Sequence, residues 1–267
     1  MSLKQTAKQT SPRTKRNLKN DYAAPALDKG LDVIELLAHQ TVGLSMSQIA
    51  RELNRSVSEI FRMLLCLEHR GYIAQAGAEK YSLTLKLFKL VQEHPPTERL
   101  ISEALPVMHR LASQTMQSCH LGVVESGRVV ILAQVNAPTS VGFYVKLGST
   151  VDIMEASSGY VILAHQNKAE QERTLTEWQR ETGRKPPKNL EAHLALIQKK
   201  GFEKRESYQV RGVVNFSFPV LDHTGSAIAA ITIPYIDHMD AHISPASITE
   251  MLRAGTQEVS KAIGLHV

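Results

Sequence analysis

One stretch of the sequence, residues 54–72 (NRSVSEIFRMLLCLEHRGY), combines a helix start signal, an apolar stripe and a helix stop signal. Ser56 and Glu59 have the S-x-x-E spacing of a capping box, in which both side chains satisfy free N–H groups at a helix start. Apolar residues then recur at helical spacing and form one stripe: Ile60, Met63, Leu64 and Leu67. Gly71 is typical of the position just beyond a helix C-terminus. The pattern predicts an amphipathic helix that begins at Val57.

The residues on either side of this helix predict a winged helix-turn-helix. Residues 44–54 (LSMSQIARELN) form a second short helix, with Ser45 or Ser47 as its N-cap and Asn54 as its end. Two short helices joined by a turn of three or four residues make a helix-turn-helix. Residues 72–83 predict two short strands joined by a tip that contains Gly77, which makes a wing. Such a domain sends the first turns of its second helix into the major groove of DNA.

The candidate DNA-contacting residues therefore lie at and just before the start of that helix: Arg55, Ser56, Val57, Ser58, Glu59, Phe61 and Arg62. Arg62 and Arg55 are the candidates for phosphate or guanine contacts, and Glu59 can accept a hydrogen bond from cytosine N4. Phe61 either packs on a thymine methyl group or packs inside the domain. Taken alone, the cap and the stripe fit an ordinary amphipathic core helix, and the flanking elements are what favour DNA binding.

Positive charge is concentrated in the N-terminal part of the 267-residue chain, which is long enough for two domains. Residues 1–95 hold 14 Lys+Arg against 9 Asp+Glu, whereas the remainder holds 17 of each. Six of these basic residues precede the first acid, Asp21: Lys4, Lys8, Arg13, Lys15, Arg16 and Lys19. We expect residues 1–24 to be a disordered basic tail that can follow DNA phosphates without sequence preference, or else a solvated leader without a role.

Composition also predicts a compartment. The two cysteines, Cys66 and Cys119, are far apart in sequence, which indicates a reducing cytoplasm rather than a disulfide framework. No apolar run approaches the length of a membrane span, and the basic N-terminus lacks the apolar stretch of a signal peptide. We therefore expect a cytoplasmic protein with no membrane partner.

Helices and strands follow the wing in a mixed order. Residues 25–38 predict the first helix, with a core stripe of Leu27, Leu31, Ile34, Leu37 and Ala38. Further helices are predicted at residues 84–92, 97–114, 153–165, 169–182, 189–200 and 246–263. Strands are predicted at residues 119–136 (as a hairpin), 141–147, 208–210, 213–221 and 226–233. Because strands and helices do not strictly alternate, we expect an α+β fold with an antiparallel sheet and helices on one of its faces.

Four segments resemble the isocitrate lyase regulator (IclR) family of bacterial transcription factors. They are residues 27–38 (LDKGLDVIELLA), 43–73 (GLSMSQIARELNRSVSEIFRMLLCLEHRGYI), 148–164 (GSTVDIMEASSGYVILA) and 211–233 (RGVVNFSFPVLDHTGSAIAAITI). The resemblance covers nearly everything after Ala24. It implies a winged helix-turn-helix over residues 25–83, a linker helix over 84–97 and a GAF-like effector-binding domain over 98–267. It also implies double-stranded operator DNA and a small metabolite as ligands, and self-association into a dimer or a tetramer.

The chain departs from the family pattern at several positions. The family has a proline and a lysine at the start of the recognition helix, where this chain has Ser56 and Val57. Carried over residue by residue, the effector-binding residues are Met154, Ala156, Ser157, Ser158, Asn215, Ser217 and Thr232, with Phe143 or Tyr144 as a wall. The family often has histidine, threonine, lysine and cysteine where this chain has Met154, Ala156, Tyr160 and Asn215.

Two groups that favour anions are thus missing from the implied effector site. We expect a ligand that depends less on a carboxylate, or one that hydroxyls, the Asn215 amide and helix N–H groups hold. Alternatively, Ser157 and Ser158 only cap and pack the helix.

Neither catalysis nor a metal is predicted. The sequence has no G-x-S-x-G, P-loop or dinucleotide fingerprint. Cys119 and His120 are adjacent on a predicted strand and therefore point to opposite faces. His238, Asp240 and His242 alternate and could hold a divalent ion on one face of a strand, but exposed loops often carry such residues, and we assign no metal.

We therefore expect no catalytic residues and no cofactor. The predicted function is that of a sequence-specific DNA-binding transcriptional regulator, a repressor or an activator, whose operator binding an effector alters. The alternative is a stand-alone small-molecule-binding or enzymatic α+β domain whose N-terminal helices serve only in dimerisation.

Overall fold

The structure is a computed structural model that describes residues 24–77, 79–239 and 243–264. The chain divides into two compact units, one ending at Glu93 and the other beginning at His94. The predicted basic tail lies outside the described residues except for Ala24. Within the described ranges, no helix is both long and apolar enough to cross a membrane.

The N-terminal unit is a winged helix-turn-helix, as predicted. Its elements in chain order are α1 (Pro25–Ala38), β1 (Leu44–Ser45), α2 (Met46–Glu52), α3 (Val57–His69), β2 (Ile73–Ala76), β3 (Lys80–Leu83) and α4 (Lys86–Gln92). The strands form an antiparallel sheet in the order β1-β3-β2, in which β1 is a small addition that the sequence did not predict. Asn54 has a left-handed backbone (φ 50°) between α2 and α3, so the turn can be short.

The core of this unit fixes the rotation of α3. Ile60 and Leu64 are completely buried, and they share a core with Val33 of α1 and Ile49 of α2. The predicted stripe of α1 is wrong in its first half: the exposed fractions of Leu27 and Leu31 are 62% and 46%, and Ala38 is exposed as well. The apolar surface of α1 is wider than its core contact, and Val33 and Leu37 are the residues that the core buries.

The C-terminal unit is an antiparallel α+β domain. Its elements are α5 (Pro95–Thr115), β4 (Cys119–Glu125), β5 (Arg128–Val135), β6 (Thr150–Asp152), α6 (Ser157–His165), α7 (Lys168–Thr182), α8 (Leu190–Lys200), β7 (Glu203–Glu206), β8 (Val214–Leu221), β9 (Ala227–Tyr235) and α9 (Pro245–Gly264). The strands form a six-stranded antiparallel sheet in the order β6-β5-β4-β9-β8-β7.

Helices cover both faces of this sheet, which corrects the expectation of helices on one face. On one face, Met108 of α5 and Leu252 of α9 share a core with Phe218. On the other face, Ile162 of α6 and Trp178 of α7 pack over Ala230. The correction is visible in the neighbouring strands β8 and β9, where residues 216–220 and 229–234 are buried without interruption. Unbroken apolar runs are typical of strands that are buried on both sides.

Two predicted strands are wrong, because backbone N–H groups there donate to side-chain oxygens instead of to a neighbouring strand. Residues 141–147 run beside β5 without a ladder; Val145 N–H donates to the Gln134 side-chain oxygen (3.3 Å), and the edge strand is β6. Residues 208–210 form bends, since the Ser207 hydroxyl accepts from the N–H groups of Gln209 and Val210 (3.3 and 3.2 Å). The strand of this segment is β7, at Glu203–Glu206.

Helix α6 starts later than predicted, at Ser157 instead of residue 153. The Asp152 carboxylate accepts from Met154 N–H (2.8 Å) and from the Trp178 indole N–H (2.9 Å), which holds the preceding residues in a turn. Gly159 lets α6 lie directly on that turn, because an added Cβ would lie 2.3 Å from the Ile153 carbonyl oxygen. The start of α6 is thereby placed against the sheet.

Candidate DNA-contacting surface and effector cavity

The start of α3 is held by a capping box, as the sequence predicted. The Ser56 hydroxyl accepts from Glu59 N–H (3.4 Å), and the Glu59 carboxylate accepts from Ser56 N–H (3.1 Å) and from its hydroxyl (2.8 Å). The other carboxylate oxygen pairs with the Lys29 ammonium of α1 at 2.6 Å. The hydrogen bond from Lys29, followed by those from Ser56, lowers the pKa of Glu59 to about 2.

The outer face of α3 is uncovered within the described chain. Val57 and Phe61 are 47% and 46% exposed, and Ser58 and Arg62 are exposed beside them. The option that Phe61 packs inside the domain is therefore wrong. Arg62 has no ion-pair partner among the described residues, so its guanidinium is available to a ligand. Because the buried stripe fixes the rotation of α3, these four side chains point outward together.

The other candidates are engaged inside the unit. Arg55 pairs with Asp32 of α1 (2.7 Å), while its Nε is enclosed without a partner. Glu59 and Ser56 complete the cap. Arg55 and Glu59 thus tie the start of α3 to α1, and Ser56 completes its cap. Val57, Ser58, Phe61 and Arg62 form the exposed surface of α3.

In the C-terminal unit, a cavity opens between the sheet and the start of α6. The enclosed cavity is small, about 40 Å³, and the space between its lining side chains grows to about 420 Å³ only when its open mouth is counted. Its lining residues are His120, Ile131, Phe143, Val145, Val151, Ala156, Ser157, Ser158, Ser207, Tyr208, Gln209, Asn215 and Thr232. No lysine, arginine, aspartate or glutamate is among these described lining residues. The polar part of the wall is therefore made of hydroxyls, amides and one imidazole.

A chain of three buried hydroxyls supports one wall of the cavity. Ser217 Oγ donates to Ser157 Oγ (2.8 Å) and lies 2.7 Å from Thr232 Oγ1. Since a serine hydroxyl has one proton, the proton between Ser217 and Thr232 comes from Thr232. The Ser157 proton then remains free, so Ser157 can donate a hydrogen bond into the cavity.

His120 lies beside this chain, because it is the register partner of Thr232 on β4 and β9. The side chain is 7% exposed, and its Nδ1 has no hydrogen-bond partner. Burial lowers the pKa of His120 from 6.5 to about 4, so the ring is neutral near pH 7. A neutral imidazole offers one donor and one acceptor and no charge.

The structure brings five of the seven predicted effector residues to the cavity wall: Ala156, Ser157, Ser158, Asn215 and Thr232. Ser217 is fully buried behind the wall, where it joins Ser157 to Thr232. Met154 packs in the core under α6. Phe143 lines the cavity, whereas Tyr144 is 70% exposed and lines a different hollow.

Sequence reasoning missed several lining residues. His120 was considered only as a partner of Cys119, because its pairing with Thr232 depends on strand register. Tyr208 and Gln209 were assigned to a strand, so the loop that brings them and Ser207 to the cavity was not predicted.

Catalytic and metal candidates do not gain support from the geometry. The Cys119 thiol donates to the Met108 carbonyl (3.3 Å) on the α5 side, while His120 faces the cavity. Burial raises the pKa of Cys119 to about 12. Asp240 and His242 lie outside the described residues, and within the described ranges no group of three or more potential metal ligands comes together.

Comparisons with known proteins match both units. The IclR helix-turn-helix domain model matches residues 26–77, and the model of the bacterial transcriptional regulator IclR C-terminal domain matches residues 96–261. The HTH-type transcriptional regulator KdgR of Dickeya chrysanthemi is 26% identical over 228 residues, which cover 84% of this chain and 75% of that protein.

Solved structures share the fold at lower identity. The IclR protein of Thermotoga maritima has a TM-score of 0.69 at 21% identity and covers 89% of this chain and 98% of its own. An IclR homolog from Microbacterium hydrocarbonoxydans, crystallised with 4-hydroxybenzoate, has a TM-score of 0.71 at 20% identity, with coverage of 89% and 98%.

The capping box makes a prediction about pH. Because the folded-state pKa of Glu59 lies below its ordinary value of 4.5, its stabilising effect is complete above pH 4.5 and is lost as the pH falls toward 2. Carboxyl-carbon NMR during an acid titration should show Glu59 still ionised well below pH 4.5. Lys29→Gln should raise the titration midpoint of Glu59, because the hydrogen bond from Lys29 is the largest cause of its lowered pKa. A parent midpoint near 4.5, or no change in the variant, would contradict the assigned contacts.

Proposed function

The chain belongs to the IclR family of bacterial transcriptional regulators, and on that premise we propose which of its residues contact DNA and effector. It is a DNA-binding transcriptional regulator with an N-terminal helix-turn-helix and a C-terminal effector domain. The alternative of N-terminal helices used only for dimerisation is therefore set aside. The exposed first turns of α3 are the observation that carries the proposal.

Four residues of α3 make the DNA contacts in this proposal: Val57, Ser58, Phe61 and Arg62. Arg62 can bind a guanine edge or a phosphate, and Ser58 can bind either class of base edge. Val57 and Phe61 present apolar surface that fits thymine methyl groups. Arg55, Ser56 and Glu59 act mainly as supports, because their side chains are engaged with α1 or with the cap.

Two protomers would act together on one operator. The N-terminal unit exposes large apolar side chains that its own core does not use, among them Leu27 and Leu31 of α1 and Leu85 and Phe88 at α4. Exposed apolar patches of this kind support self-association. A dimer would offer two copies of α3 to major grooves about one helical turn apart, or a multiple of it.

A protein that acts on chromosomal DNA is also expected in the cytoplasm.

The effector site in this proposal is the cavity beside α6, and its ligand is a small metabolite. Ser157, Asn215, Thr232 and the neutral His120 offer hydrogen bonds without a fixed charge, which suits a ligand whose hydroxyl or amide groups are recognised. Helix N–H groups at the start of α6 can still donate hydrogen bonds to a partly negative group of the ligand.

Effector binding would alter DNA affinity by favouring one placement of the two DNA-contacting helices. Helices α4 and α5 are consecutive in the chain and connect the two units. For effector binding to change DNA affinity in this way, the protein must bind the effector with different affinities in the DNA-binding placement of the helices and in the other placement.

Replacing Arg62 with Ala should weaken DNA binding by roughly an order of magnitude, the loss of one good bidentate contact. The probe is a duplex selected by the parent protein from random-sequence DNA, and affinity is measured by fluorescence anisotropy. Arg70→Ala is the matched control, because Arg70 is exposed at the opposite end of α3. Equal losses in both variants, or none for Arg62→Ala, would exclude Arg62 as a principal contact.

Asn215→Leu should abolish the effector response while DNA affinity in the absence of effector is retained. A panel of small hydroxy acids, alcohols and amides is first screened against the parent for release of the selected duplex. The strongest compound is then titrated into both proteins by calorimetry. Gln198→Leu, an exposed amide on α8 outside the cavity, serves as control. An unaltered response in Asn215→Leu would remove this cavity from consideration.

A further inference from the structure

A second hollow of the C-terminal unit lies where the start of α8 and strand β7 meet α6. Six residues line it within the described ranges: Tyr160, Pro187, Asn189, Leu190, His193 and Arg205. None of the six is among the residues that line the effector cavity, so the two sites are separate. They adjoin each other, because Arg205 of β7 is the register partner of Asn215 of β8. The hollow measures about 190 Å³, which leaves room for a small solute together with water.

The Arg205 guanidinium has no carboxylate partner in the part of the chain that the structure describes. Its carbon Cζ lies 4.6 Å from the centre of the Tyr160 ring, and its Nη1 is enclosed without a hydrogen-bond partner. Stacking on an aromatic ring fixes the plane of a guanidinium but satisfies none of its five N–H donors. Because an enclosed N–H group without an acceptor costs free energy, a ligand that supplies acceptor oxygens would be stabilised here.

The acid nearest to Arg205 on the same face of β7 is already engaged. The Glu203 carboxylate is 7% exposed and accepts a hydrogen bond from His193 Nε2 at 3.1 Å. The His193 ring also packs edge-on against Tyr160, with the ring centres 5.0 Å apart. Glu203 and His193 thus hold the ring on which Arg205 rests, and no carboxylate is among the described residues that line the hollow.

The start of α8 adds uncharged donors to the same hollow. Asn189 precedes α8, and its side chain makes no capping hydrogen bond, so its amide is free to bind a ligand. The Tyr160 hydroxyl likewise makes no hydrogen bond to any described residue. The N-terminus of a helix carries partial positive charge, which favours an anion at this end of α8.

We propose that this hollow binds the oxyanion group of a small solute, a carboxylate or a phosphate, with Arg205 as its main ligand. The planar fork of a guanidinium matches two oxygens of either group and forms charge-assisted hydrogen bonds with them. Tyr160 holds the plane of the guanidinium, and the Asn189 amide donates a further hydrogen bond. The proposal requires neither DNA at α3 nor a ligand in the effector cavity.

The test titrates the full chain with sodium phosphate and, separately, with sodium malonate, while sodium chloride keeps the ionic strength constant. Calorimetry measures the affinity, and the NMR signal of the Arg205 Nε–H group, assigned by its loss in R205Q, locates the site. R205Q should weaken binding of the anion by about 10- to 100-fold, the effect of losing a hydrogen bond to a charged group. R173Q is the matched control, because it removes the same charge from an exposed position on α7 outside the hollow.

Tighter binding of phosphate assigns the site to a phosphorylated solute, tighter binding of malonate assigns it to a carboxylic acid, and comparable affinities support a general oxyanion site. Circular dichroism verifies that both variants fold. The proposal is overturned if the parent binds neither anion, if its Arg205 signal does not move during the titration, or if R205Q and R173Q lose affinity equally. These results leave the effector cavity and α3 unaffected, because the variants of Asn215 and Arg62 test those separately.

Discussion

Burial of one side of α3 is the constraint on which the proposed DNA-contacting surface depends. Ile60 and Leu64 are completely buried, and each such side chain contributes about 1.5–3 kcal/mol when it leaves water. With that face held, the helix cannot rotate without exposing them, so Val57, Ser58, Phe61 and Arg62 must point outward. The capping box and the two ion pairs to α1 refine the start of the helix, but the ion pairs are partly exposed and contribute less.

In the C-terminal unit, polar side chains are buried in a sheet that helices cover on both faces, so they need hydrogen-bond partners within the protein. Buried Ser217, Thr232 and Ser157 form a chain of hydroxyl hydrogen bonds in which only the Ser157 proton is left without an acceptor. His120, one strand away, keeps an Nδ1 without a partner. Because an enclosed polar atom without a partner costs free energy, this row is the part of the sheet that a ligand could best complete.

Features that depend on residues close together in the sequence could be predicted. Features that depend on contacts between distant segments could not. Ser56, Glu59 and Gly71 mark the limits of α3 through contacts within a few residues, so its start and end were predictable. The cavity depends on strand register, which pairs His120 with Thr232 although more than a hundred positions separate them, and pairs Thr232 in turn with Ser217. The exposed Leu27 and Leu31 were placed in the core because periodicity alone does not reveal which apolar face meets a partner. The loop of Tyr208 was predicted as a strand because the alternation of apolar residues does not show that the Ser207 hydroxyl accepts hydrogen bonds from the backbone there.

The most direct test of the account is a photocrosslink from position 61. A benzophenone amino acid in place of Phe61 should form adducts with bases of a bound duplex, because this side chain lies on the outward face of α3. The same group in place of Leu196, which is similarly exposed on α8 of the C-terminal unit, should form none. Adducts from both positions, or none from position 61 while the duplex is bound, would contradict the claim that the start of α3 faces DNA.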